Sequence, residues 1–268
     1  MPAIRNTRST LNSSAGPSQD PARPRAADSE LETDERYAKG DFRIIARQPG
    51  EKATLFRLPS FYMLAASSVI RDTYEIGTGG STPELEVDAA TTTVRSWLDL
   101  LTDNNEAGFD FTLRGIHPHV RDVLRLCQQF DCSAATKAIM AQLESSLDST
   151  KIWAVYSLIT AAMFGAPRPF EKAIRTNGDR EKYQAKGTHE DLNAITPGAQ
   201  VRNPSSWSLA DFCLLPPTYC WALLRSYSQT KTKEEQADRL KVLLALIEDQ
   251  SKLKPAGDGP APDAGGSV

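Results

Sequence analysis

The hydrophobic positions along this chain switch between two periods, and the switches predict two kinds of structure. Around residues 42–58 apolar residues come in short β-branched runs, whereas from residue 94 onward they recur at helical spacing. DFRIIAR places Phe42, Ile44 and Ile45 in a first strand, Pro49-Gly50 punctuates a turn, and KATLFRLP supplies a second strand, so the two predict a hairpin. Pro59 and Ser60 then open a helix, with Ser60 as N-cap and Phe61, Leu64 and Ala65 at helical spacing. A second short helix restarts near Ser67 or Ser68 and covers Val69, Ile70 and Tyr74. GTGGSTP breaks it, and ELEVD, with Leu85 and Val87 alternating against Glu84 and Glu86, predicts a third strand.

Helices follow. Val94, Trp97, Leu98 and Leu101 form one apolar stripe, and Val120, Val123, Leu124, Cys127 and Phe130 form the next. Ile139, Leu143 and Leu147 continue the pattern, then Ile152, Val155, Tyr156, Ile159 and Met163, and finally Leu240, Leu243, Leu244 and Ile247. The fold class this predicts is α+β: a small sheet capped by helices, followed by an all-helical C-terminal region. Three polar stretches frame it. Residues 1–36 and 251–268 read as disordered tails, because burying so few apolar groups cannot offset an ordering cost of about 1–2 kcal/mol per residue. The polar run between Glu171 and Ser206 reads largely as a mobile insertion, near residues 176–205. The domains expected are therefore 38–148 and a helical region over 149–250, with no internal repeat.

The stretch from Gly40 to Leu147 resembles a BTB/POZ domain, particularly the divergent fungal form. The resemblance rests on three stations: Asp41 followed by Phe42, Ile44 and Ile45; Phe56-Arg57-Leu58-Pro59 with Met63 and Ala66-Ser67-Ser68-Val69-Ile70-Arg71-Asp72; and Leu126-Cys127-Gln128-Gln129-Phe130-Asp131-Cys132. Pro59 and Met63 depart from the family's usual His and Leu, so the contacts of the first helix must be repacked. The resemblance implies a non-enzymatic protein–protein interaction module. Many members self-associate as homodimers, a subset recruits a cullin-type ubiquitin ligase scaffold as substrate adaptor, and some relatives are transcriptional regulators. Residues 1–36 offer no amphipathic helix of the kind that accompanies strand exchange in metazoan members, so that exchange is expected to be missing. For a partner interface the candidates are Leu101 and Asp103, in the hydrophobic–any–acidic pattern of cullin recruitment, and Phe109 and Phe111 of GFDFTL, whose alternation predicts an exposed strand or loop.

No motif points to chemistry. His117, His119, Cys127 and Cys132 fall within sixteen residues, but the spacing of the two Cys fits no zinc knuckle, and they read as buried thiols and surface imidazoles. Cys213 and Cys220 read as buried. Gly77-Thr78-Gly79-Gly80-Ser81 lacks the Lys of a phosphate loop and reads as a surface turn. No G-x-S-x-G elbow precedes a His, His189 sits in the polar insertion, and Glu84/Glu86 read as solvated, so no catalytic residue, cofactor or metal is expected. Trp207, Phe212, Tyr219, Trp221 and Tyr227 form either the core of the second lobe, the favoured reading, or an anchor-rich patch. KTKEEQADRLK reads as a solvated helix face.

Composition narrows the partners. With 31 Lys+Arg against 34 Asp+Glu and a net charge of -3, a polyanion-wrapping surface is not expected, so neither is a nucleic-acid partner. No apolar run approaches the roughly 20 residues of a membrane span, and the N-terminus has no apolar signal core. Four scattered Cys fit reduced thiols. The expected setting is intracellular, cytoplasm or nucleus.

Overall fold

The computed structural model describes residues 31–77, 84–102, 108–113, 115–148, 154–179 and 200–253. Asp103, Ile152, His189, residues 78–81 of the glycine run, and the greater part of the two tails and of the insertion lie outside them. The chain divides into two compact units, residues 1–143 and 144–268.

The first unit is built on a four-stranded mixed sheet. Its strands are β1 (Glu32–Ala38), β2 (Phe42–Ala46), β3 (Thr54–Leu58) and β4 (Glu84–Val87), in the spatial order β1-β3-β2-β4. β2 and β3 are the hairpin that the sequence predicts, paired from Phe42↔Leu58 to Ala46↔Thr54. Its turn is tightened where Glu51 N–H donates to Gln48 O, with Gly50 at φ 87 after Pro49, the residues a type II turn requires. β4 lies parallel to β2, with Ile44 beside Leu85 and Ala46 beside Val87. β1 corrects the sequence reading. It occupies 32–36, which the polar composition assigned to a disordered tail, and pairs in parallel with β3.

The helices that follow are α1 (Ser60–Ala66), α2 (Ser68–Gly77), α3 (Thr91–Leu101), α4 (Ile116–Gln129) and α5 (Ser133–Ser146), with β4 between α2 and α3. Ser60 is the first helical residue rather than the cap, which is Pro59. Its hydroxyl and backbone N–H instead donate to the two oxygens of Asp41, both at 2.7 Å, and hold that carboxyl below the usual range. Phe56, Met63, Val94, Trp97, Leu98, Val120, Val123 and Leu124 are all fully buried, and α3 packs against α4 and α1. Trp97 stacks on Phe130 with ring centroids 5.1 Å apart.

The second unit consists of helices: α6 (Ala154–Met163), α7 (Pro167–Asn177), α8 (Leu209–Phe212), α9 (Pro217–Gln229) and α10 (Lys233–Leu253), with a 3-10 turn at Pro204–Ser206. α7 packs against α6 and α10, and α10 against α9. α7 runs into the polar stretch that begins at Glu171 and reaches only the first residues of the insertion expected near 176–205, because Phe170, Ala173, Ile174 and Asn177 fall at i, i+3, i+4, i+7 and are buried. Val201, at the far end of the same stretch, is fully buried too. Pro217 begins α9 at a position where its missing N–H costs nothing. Thr232 and Glu235 close a reciprocal capping box at the start of α10, so the expected solvated face also serves as a helix start. No helix among the described residues is long and apolar enough to cross a membrane.

Candidate functional site

β1 has the sequence ETDERYA and cannot be held by apolar burial alone. Its register shows what replaces it. Glu32 and Thr33 stand opposite Thr54 and Leu55, and Ala38 stands opposite Arg57, so Asp34–Tyr37 bulge over the single intervening residue of β3. Asp34 closes the bulge: its Oδ1 accepts the backbone N–H of Arg36 at 3.0 Å and of Tyr37 at 3.1 Å. Its Oδ2 accepts Nε and Nη2 of Arg95, on α3, at 2.9 and 2.6 Å. One turn further along α3, Asp99 accepts both oxygens' worth of bonds from Arg36 Nη1, at 3.0 and 3.1 Å, and the Tyr37 hydroxyl at 2.6 Å. Burial, reinforced by the hydrogen bond to Asp99, pushes the Tyr37 phenol up, so it remains a protonated donor at neutral pH. Two ion pairs and a phenol thus clasp β1 to α3.

Beyond the clasp the surface opens into a cavity of about 470 Å³. Arg36 and Lys39 from β1 and its exit, Arg57 from β3, Pro59 and Tyr62 at the start of α1, and Thr102 at the end of α3 line it. The Phe61 side chain is exposed, its ring centroid 4.0 Å from that of Tyr62 and the two rings tilted. Gly40 makes the tight exit from β1 possible. At φ 150 its Cα stands so close to β3 that an added Cβ would lie 2.0 Å from the Leu58 carbonyl carbon. None of this site was read from the sequence, since a strand held by charges carries no apolar period.

The predicted interface residues fare unevenly. Leu101 is half-buried in the last turn of α3, and Asp103 lies outside the described residues. Residues 108–113 form turns and no strand, so of the expected strand or loop the structure has the loop. Phe111 is 2% exposed, its ring 5.8 Å from that of His117, so it belongs to the core and is not available to a partner. Phe109 is half-buried between Phe111 and His119.

His117 is likewise no surface imidazole: it is fully buried, and burial, with the Arg121 cation behind it, pushes its pKa down to about 4. Cys127 and Cys132 are buried, and loss of solvent drives their thiols up to about 12 and about 11. At neutral pH both are uncharged, unreactive thiols. Cys213 is exposed and Cys220 half-exposed, against the expectation of burial, because both flank the surface turn between α8 and α9. The aromatic group is split. Trp207 is buried and donates to Gln200 O, Tyr219 packs edge-on against Phe170 at 4.9 Å, and Trp221 is 52% exposed. Among the described residues no three His, Cys, Asp or Glu side chains converge as a metal site would need.

No family model, curated protein or solved structure matches the chain. The functional reading therefore rests on the sequence stations and the contacts between them. Those contacts are specific. Ser67 caps α2 by accepting Ile70 N–H at 3.1 Å, while its hydroxyl donates to Phe130 O. Its neighbour Ser68 donates to the Asp131 carboxylate. Asp131 is in turn the left-handed residue, at φ 49, that ends α4: Cys132 N–H reaches back to Cys127 O at 2.7 Å, and Asp131 N–H to Gln128 O at 3.3 Å.

Proposed function

We propose that this chain is a non-enzymatic protein–protein interaction module, BTB/POZ-like in its first unit, that works by holding other proteins. The observation that carries the reading is the way the quoted stations meet. Asp41 takes both donors of Ser60, and Ser67-Ser68 bond across to Phe130-Asp131, so residues 63 positions apart in the chain form one node. Hairpin, two short helices, a further strand and then α-helices follow one another along the chain, the order in which the quoted stations lie, and this supports the reading. Buried, neutral histidine and thiols favour a structural over a chemical use of the interior. The test is crosslinking of the full chain in its native cell, read by mass spectrometry, with light scattering of the purified protein. Reproducible crosslinks from the first unit to another protein, or to a second copy, are the expected result. A monomer that crosslinks to nothing would overturn the proposal.

A further inference from the structure

The second unit leaves one helix face uncovered. α9 packs chiefly against α10 and turns Ala222, Leu223 and Ser226 inward. On its opposite side Trp221, Leu224, Arg225 and Ser228 fall at i, i+3, i+4, i+7, and all four are exposed. Leu214, in the turn that leads into the helix, is exposed too. An indole and an isobutyl group thus stay in water while the smaller Ala222 and Ser226 occupy the buried side. The stripe's one charge is unanswered. Among the described residues the Arg225 guanidinium meets no carboxylate and makes no hydrogen bond, and the Ser228 hydroxyl donates to its backbone carbonyl at 2.9 Å instead. From Phe212 to Lys233 the chain has no Asp or Glu, so no acid on α9 or in its flanking turns offsets this cation.

We propose that the outer face of α9 docks a short amphipathic helix of a partner protein, a Glu or Asp of that helix on Arg225 and its aliphatic side chains on Trp221 and Leu224. This rests on the reading of the chain as an interaction module and gives it a surface in the second unit. Charge selects an acidic partner, and the exposed indole selects one with an apolar side, since Trp and Arg are the side chains best able to anchor a small interface. The helical form follows from the spacing, because a stripe repeating every three to four residues is matched by a neighbour with the same repeat. A second copy fits poorly. Laid on itself the stripe would set cation against cation with no acid between them. Its large apolar side chains expose on the order of 200 Å², well short of the roughly 800 Å² per partner of a stable interface. Such an area fits a weak, reversible contact.

The experiment is selection of a helix-forming peptide display library on the full chain, followed by fluorescence anisotropy of the enriched peptides synthesised singly. Enriched peptides are expected to carry an acid three or four residues from an aliphatic or aromatic side chain. Arg225→Glu should weaken them at least tenfold, and replacing the peptide's acid with Lys should restore binding to that variant. Trp221→Ala, also at an exposed position, should weaken them at least tenfold with the circular dichroism unchanged; if it misfolds, the charge exchange at Arg225 still decides. Acid-free enriched peptides, or unchanged affinity for Arg225→Glu, would overturn the assignment. So would another occupant of α9: a dimer in light scattering, or retention on phosphatidylserine vesicles, that Arg225→Glu abolishes. The module reading is tested separately. Native-cell crosslinks from the first unit that persist in Arg225→Glu uphold it whatever the α9 result, and an unaltered chain that crosslinks to nothing removes it.

Discussion

Replacing Ser67 with Ala tests the node on which the first unit turns. The fully buried hydroxyl has two duties: it accepts Ile70 N–H as the N-cap of α2 and donates to Phe130 O. Losing an N-cap costs about 1 kcal/mol. Leaving the Phe130 carbonyl without its hydroxyl donor adds about 1–2 kcal/mol, toward the low end because this oxygen also faces the Cys132 thiol. Ser67→Ala should therefore destabilise the first unit by about 2–3 kcal/mol. Ser67→Gly separates the duties, since glycine is nearly as good a cap but breaks the same bridge, and it should cost up to about 1 kcal/mol less. Two units make a single unfolding transition an unsafe readout, so the assay is native-state hydrogen exchange at the amides of α2 and of residues 130–132. If Ser67→Ala left those amides within about 0.5 kcal/mol of their original protection, the node would not carry the stability assigned to it here.

Two further outcomes follow from buried charge and its absence. Asp34→Ala removes a carboxylate with no exposed side-chain surface and orphans the Arg36 and Tyr37 N–H groups, so β1 should lose about 3 kcal/mol of protection, measured by exchange at those two amides; full protection in the variant would refute the clasp. His117 binds its proton near pH 4 when folded and near 6.5 when unfolded, so its contribution is complete above pH 6.5 and declines as the pH falls toward 4. Between pH 6.5 and 5 this amounts to about 2 kcal/mol, and the protection of the α4 amides against hydrogen exchange in the chain and in His117→Gln should diverge by that amount; parallel pH profiles would contradict it.

What the sequence made legible was whatever apolar residues determine. The hairpin, the break between α1 and α2, β4 and the stripes of α3 and α4 all appear where side-chain period places them, because their stability comes from the core they bury. β1 was invisible for the opposite reason. Its partners Arg95 and Asp99 lie some sixty residues away, and only folding brings them to Asp34, Arg36 and Tyr37. The stripe of α7 was present in Phe170, Ala173 and Ile174, but the polar run beginning at Glu171 concealed it. Phe111 was misplaced because an alternating pattern fits a turn folded onto His117 as well as it fits a strand. The cavity was beyond reach, since it is bounded by three separate segments of the chain.

The position of β1 bears on how this protein is to be cut. Composition invites a shortened version starting at residue 38, yet such a version would strip the cover from one side of β3 and leave its peptide groups bare. Naked strand edges recruit whatever strand is nearest, including that of an identical molecule. Self-pairing by such a fragment would thus report an amputated sheet, and a faithful picture of its associations has to begin upstream of Leu31.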